Sequence, residues 1–163
     1  MRLLFVLLMA ASTVAAPTAQ CDMSEDNPNL ESWQSGETKY EGFPLLLRRP
    51  TNVDYDALPP KLIVVTHLLD KTKPNGLPEP DYNETLFDFD EEVIGTFRAL
   101  KCFVVLVETF GHKRAYYAYC PESVAVSEIQ DRLEKSYSGF RLEWFERSDP
   151  TARFIRRYAK EHF

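Results

Sequence analysis

The chain has 163 residues, 44% apolar and 13% aromatic, with a formal net charge of −6. That balance is too apolar for a disordered chain and fits one globular domain. The acidic excess argues against a phosphate-backbone partner, because such binding uses clustered Lys and Arg.

Met1-Arg2 is a short basic start, Leu3 to Ala11 is apolar, and Ser12 to Ala19 is small and weakly polar. This is the layout of a secretory signal peptide, read as residues 1–19 with cleavage after Ala19. The apolar run is too short to cross about 30 Å of hydrocarbon. Cleavage removes Arg2 and moves the charge from −6 to −7. The expected address is periplasmic or secreted. A rival reading is a membrane-anchored lipoprotein acylated on Cys21, although Gln20 is large where a lipoprotein signal wants a small residue. Membrane contact is expected only with that lipidation.

Residues 20–30 are polar and acidic and read as a flexible lead; one α+β domain follows over 31–163. Ser32 to Lys39 and Leu45 to Arg49 read as two strands around Tyr40-Glu41-Gly42-Phe43-Pro44. Residues 50–60 hold three prolines and read as an irregular connector. Lys61 to Leu69 is the clearest strand by β-branched content. Three more prolines and an Asn75-Gly76 turn occupy 70–82. Asn83 to Leu100 then reads as one helix, capped by Asn83, with Leu86, Phe89, Val93 and Phe97 on one face. Its acidic residues Asp88, Asp90, Glu91 and Glu92 read as a solvated face near the favourable end of the helix dipole. Lys101 to Thr109 and Arg114 to Cys120 form a hairpin around Gly111. Ser123 to Ser136 is a second helix with Val126, Ile129 and Leu133 on one stripe. Phe140 to Glu146 is a strand, and Ser148-Asp149-Pro150 starts a last helix that ends near Lys160.

After export, Cys102 and Cys120 are candidates for a disulfide. Register decides between bridge and free thiols. A two-residue Gly111-His112 turn makes paired residue numbers sum to 223, which sets the cysteines on opposite sheet faces. A three-residue loop centred on Gly111 makes the sum 222 and sets them directly opposite each other.

From residue 61 the order is strand, helix, strand, strand, helix, strand. That is the split βαβ, ferredoxin-like order: a four-stranded antiparallel sheet with two helices on one face. The two early strands and the C-terminal helix are additions. The uncovered sheet face then needs the early strands, the last helix or a partner.

Several motifs in this order are similar to a bacterial family known as domain of unknown function 695. They are Trp33 in an early strand, Gly42-Phe43-Pro44-Leu45, Asn75-Gly76-Leu77-Pro78 before an acidic helix, Gly111-His112-Lys113-Arg114 leading into Tyr116 to Tyr119, and Asp149-Pro150 before an aromatic end with Tyr158. The resemblance covers about residues 31–160 and departs after Asp149-Pro150, where Phe154 stands in place of the expected Trp. It implies the fold and brings no reaction, cofactor or catalytic set.

No catalytic, cofactor or metal set emerges from the residues either. There is no G-x-S-x-G elbow, and His67, His112 and His162 are scattered. His67 reads as a satisfied or solvent-edge histidine. Neither H-E-x-x-H nor paired C-x-x-C occurs. The expectation is a non-catalytic binding domain for an unknown periplasmic protein or peptide, with no cofactor and no nucleic acid. The alternative is a hydrolase in which His67, Asp88 and His112 converge near the 70–82 loop. A third reading binds single-stranded RNA through Tyr117 and Tyr119, with Arg153, Arg156, Arg157 and Lys160 as a basic run. For those residues, core packing and a solvated helix face are the simpler expectation. Asn83-Glu84-Thr85 matches a glycosylation acceptor, which matters only in a eukaryotic secretory route.

Overall fold

A computed structural model describes residues 32–162. The expected signal peptide 1–19, the expected lead 20–30 and Cys21 lie outside the described residues. Within them, six strands form one sheet in the order β1-β2-β4-β5-β3-β6, every pairing antiparallel.

Strands β1 (Trp33–Tyr40) and β2 (Phe43–Pro50) form a hairpin in which Tyr40 faces Phe43. The two turn residues between them, Glu41 and Gly42, both have positive φ, 51° and 84°. That is the turn geometry whose twist matches the flanking strands. β3 (Lys61–Leu68) is buried on both faces through Leu62, Ile63, Val64 and Val65. An uninterrupted apolar run is what a central strand covered on both sides requires.

The single helix expected over 83–100 is two. Helix α1 (Pro80–Thr85) starts at proline, with Glu79 extended as residues before proline prefer. Leu86 is buried at the junction and α2 (Phe87–Ala99) follows. Asn83 is therefore inside a helix and caps nothing. The third helix, α3 (Val126–Ser136), starts three residues later than the Ser123 start read from sequence. β6 (Leu142–Ser148) is an edge strand, and α4 (Arg153–His162) closes the domain. Asp149 does cap α4, accepting from the N–H of Arg153 at 2.9 Å and of Phe154 at 3.0 Å. A turn with Ala152 at φ 50° separates this cap from the first helical residue.

Between them lie β4 (Phe103–Phe110) and β5 (Lys113–Cys120). Gly111 and His112 form their two-residue turn, with φ of 56° and 67°. Paired numbers sum to 223 from Phe110↔Lys113 to Leu106↔Tyr117, then to 222 at Val104↔Ala118 and Phe103↔Tyr119. The one-residue irregularity at Val105 is a β-bulge. Neither simple register expected from sequence describes the whole hairpin. The short turn sets one end, and the bulge resets the other so that Cys102 meets Cys120. The two are joined by a disulfide with Cα atoms 4.2 Å apart.

The sheet separates two cores. On one face Ile63, Val65, Tyr116 and Ala118 pack under Phe89, Val93 and Phe97 of α2 and Ile129 and Leu133 of α3. On the other, Leu45, Leu47, Leu62 and Tyr119 pack against Ile155 of α4, with Val53, Tyr55 and Leu58 from the connector. Each large apolar side chain buried in this way contributes about 1.5–3 kcal/mol over leaving it exposed. The last helix and the connector thus cover the sheet face that the sequence left open.

Candidate binding groove

Register lines up side chains across the sheet on the α2 face. One row runs Glu37, Leu46, Thr109, Arg114, His67, Leu142. The next runs Ser35, Arg48, Val107, Tyr116, Val65, Trp144. Helices α2 and α3 cover the β5-β3-β6 side of these rows. The β1-β2 side stays open and forms a groove of about 420 Å³ against α1 and the start of α2. Ser35, Glu37 and Leu46 line its strand wall, and Asn83 and the exposed Phe87 line its helix wall.

The floor is charged and buried. Arg114 donates through Nη1 to both carboxylate oxygens of Asp90, each at 3.0 Å. Its Nε donates to Thr109 Oγ1 at 3.2 Å, and its Nη2 to the Asn83 amide oxygen. The Tyr116 hydroxyl donates to Asp90 Oδ1. Burial, and then the Asp90 charge, push the Tyr116 pKa well above its ordinary value, so the phenol stays a donor. Arg48 donates to Asp90 Oδ2 at 3.0 Å and lies over the Trp33 ring at 5.7 Å. Asp90 and Arg114 side chains are 6% and 8% exposed, whereas Arg48 is 38% exposed toward the groove. Two guanidiniums on one carboxylate leave this floor with an excess positive charge. Every atom of Asp90 that can accept is engaged, so the network is rigid and preformed.

This network corrects the reading of the acidic helix. Asp88, Glu91 and Glu92 are exposed, but Asp90 points into the protein. The signal was present: Asp90 lies four residues after Leu86 and three before Val93, on the apolar stripe itself. Arg114 was equally marked, since it alternates in phase with the buried Tyr116 and Ala118.

The remaining candidates fall in separate places. His67 is fully buried, stacked on Phe140 at 4.5 Å and edge-on to Phe89 at 5.1 Å. Neither ring nitrogen meets a hydrogen-bond partner among the described residues, contrary to the satisfied or solvent-edge site expected. Burial lowers its pKa to about 4. His112 sits in the hairpin turn with Nδ1 2.6 Å from Thr72 Oγ1. No hydrogen bond or ion pair joins any two of His67, Asp88 and His112 among the described residues. Tyr117 stacks on Phe154 of α4 at 5.0 Å, and Tyr119 is buried, donating to Asp149 at 2.6 Å. Neither ring offers a free face row for bases.

Two of the turns singled out in the sequence meet. The His112 N–H donates to Gly76 O at 3.0 Å, and a Cβ on Gly76 would lie 3.1 Å from Gly111 Cα. Gly76 also has φ 82°, so both its conformation and its neighbours exclude a side chain. Asn75 Oδ1 accepts from the Leu77 N–H at 3.2 Å and closes the turn. Compared with known proteins, the chain matches no family, no curated sequence and no solved structure.

Proposed function

We propose that the chain is an exported, non-catalytic binding domain that receives a protein or peptide partner in the groove between the β1–β2 hairpin and helices α1 and α2. The observation that carries this reading is the Asp90–Arg114 pair beneath an open groove. Taking two charges out of water costs several kcal/mol per ion, and apolar replacements are often no less stable. The fold alone has little need of the pair. A fixed polar floor with apolar walls at Leu46 and Phe87 is what orients a ligand.

Export is supported by the Cys102–Cys120 bond, since disulfides persist in oxidising compartments. The address is periplasmic or secreted, with a lipid anchor as the alternative through Cys21. The order β4-β5-β3-β6, with helices in both crossovers, supports the ferredoxin-like reading, to which β1, β2 and α4 are additions. Kinship with domain of unknown function 695 rests on the sequence motifs alone.

The test uses the mature chain from residue 20 beside a variant carrying Arg48→Ala and Phe87→Ala. Both are immobilised and exposed to periplasmic or culture-supernatant extract. The expected result is a protein held by the first, lost from the second, and rebinding after purification. Identical captures would overturn the groove assignment. Turnover of ester, phosphate or peptide reporters by the mature chain would overturn the non-catalytic one.

A further inference from the structure

Helix α4 carries its charges against its own interest. Arg153, Arg156, Arg157 and Lys160 are spaced three and four residues apart, so like charges face each other on its surface. Arg153 also sits in the first turn, where the helix dipole disfavours a cation. Arg156 is relieved by Asp56 and Tyr55, and Arg157 by Glu161 at 2.9 Å. Arg153 has no ion-pair partner among the described residues, nor has Arg147 on β6.

These two arginines face one cleft of about 560 Å³ between β6 and α4. Ser148, Phe154, Tyr158 and the Arg157–Glu161 ion pair complete its lining, with Asp149 at the bottom. Against the pull of burial, Asp149 feels the Arg147 charge, which helps hold its carboxyl below the ordinary value, but it forms no ion pair with either arginine among the described residues. It is 7% exposed, its Oδ1 accepts from the Arg153 N–H, and its Oδ2 accepts from the Phe154 N–H and the Tyr119 hydroxyl. Its charge answers the helix N-terminus from the inside. Arg147 is held with its guanidinium 5.5 Å over the Phe154 ring, which fixes its long stem.

We propose that this cleft binds a phosphate-bearing small molecule, with the phosphate between Arg147 and Arg153 and Arg157 at the rim. Two guanidiniums that no ion pair occupies among the described residues match a dianionic phosphate, and their planar forks suit its oxygens. A lone carboxylate would neutralise only one of them. The cleft volume is that of a small-ligand site. It lies on the sheet face opposite the groove, so it stands independently of the partner reading above.

The probe is inorganic pyrophosphate, titrated at low salt into the isotopically labelled mature chain and followed by amide chemical shifts. Saturable shifts centred on Arg147, Ser148, Arg153 and Arg157 are expected. Arg147→Gln with Arg153→Gln should weaken binding at least about tenfold, while Lys160→Gln, outside the cleft, changes it less than about twofold. Both cleft arginines are exposed, so the melting temperature of the double variant should stay close to that of the parent. No saturable shift up to about 10 mM would overturn the proposal. So would equal weakening by Lys160→Gln, which would mean diffuse charge attraction. Binding to anionic phosphatidylglycerol vesicles without binding to pyrophosphate would also overturn it, in favour of a lipid surface.

Discussion

Acid should destabilise this domain through His67. The ring is fully buried between Phe140 and Phe89, and burial holds its pKa at about 4 against an ordinary 6.5; the Asp70 and Asp90 charges oppose that shift without reversing it. The folded-state pKa is the lower one, so the unfolded chain takes up the proton first. The stability is complete above pH 6.5 and is lost as pH falls toward 4. Each pH unit in that window costs about 1.4 kcal/mol, so about 2 kcal/mol is gone at pH 5 and about 3 kcal/mol at pH 4. Urea unfolding followed by the fluorescence of Trp33 and Trp144 measures this. With a slope of about 1.5 kcal/mol/M, the midpoint should fall by about 1.3 M between pH 7 and pH 5. His67→Leu removes the titration and should flatten that fall to a few tenths of a molar, whatever it does to stability at pH 7. Burial acts to raise the Asp149 pKa, but the Tyr119 hydroxyl and the N–H groups of Phe154 and Arg153 outweigh it and hold the carboxyl below 3.8. Its contribution is present above 3.8 and lost only at lower pH, outside the measured window. Equal pH slopes in parent and His67→Leu would refute the reasoning.

Breaking the groove floor should be costly: Arg114→Met leaves Asp90 only the half-exposed Arg48 and the Tyr116 hydroxyl and is expected to lose about 1.5–3 kcal/mol in thermal or urea unfolding, while Arg114→Met with Asp90→Leu recovers part of it. Reducing or replacing the Cys102–Cys120 bond, which spans a sequence separation of 18, should lose about 3 kcal/mol, read as the difference between melts with and without reductant. Gly76→Ala is expected to destabilise by about 1–3 kcal/mol, because its φ is 82° and the new Cβ meets Gly111 and His112 backbone. Gly95→Ala, on an open surface of α2, should instead stabilise by about 0.5–1 kcal/mol.

Element types were legible in the sequence because their periodicities are strong. The Leu62–Val65 run and the Phe89, Val93, Phe97 stripe each find their place in the core. Boundaries were less so where two start signals competed. Asn83 resembles a cap, but the rigid φ of Pro80 starts the helix earlier. The groove floor went unseen for a different reason. A carboxylate on an apolar stripe reads as solvated until its partner is known, and Arg114 is 24 residues away in sequence. His67 was expected to be satisfied or at a solvent edge, and only the packing of Phe89 and Phe140 around it shows that the site is sealed. The bulge at Val105 leaves no mark in composition, since valine suits both the regular and the irregular position.

That extra residue gives the disulfide a second use. Without Val105 bulging out, the alignment set by the Gly111-His112 turn would send the two sulfurs to opposite sides of the sheet. Once the strands are paired, the sulfurs can therefore meet only in the bulged alignment. Once closed, the bond acts as a lock on that alignment, because sliding the strands by one residue would pull the sulfurs apart.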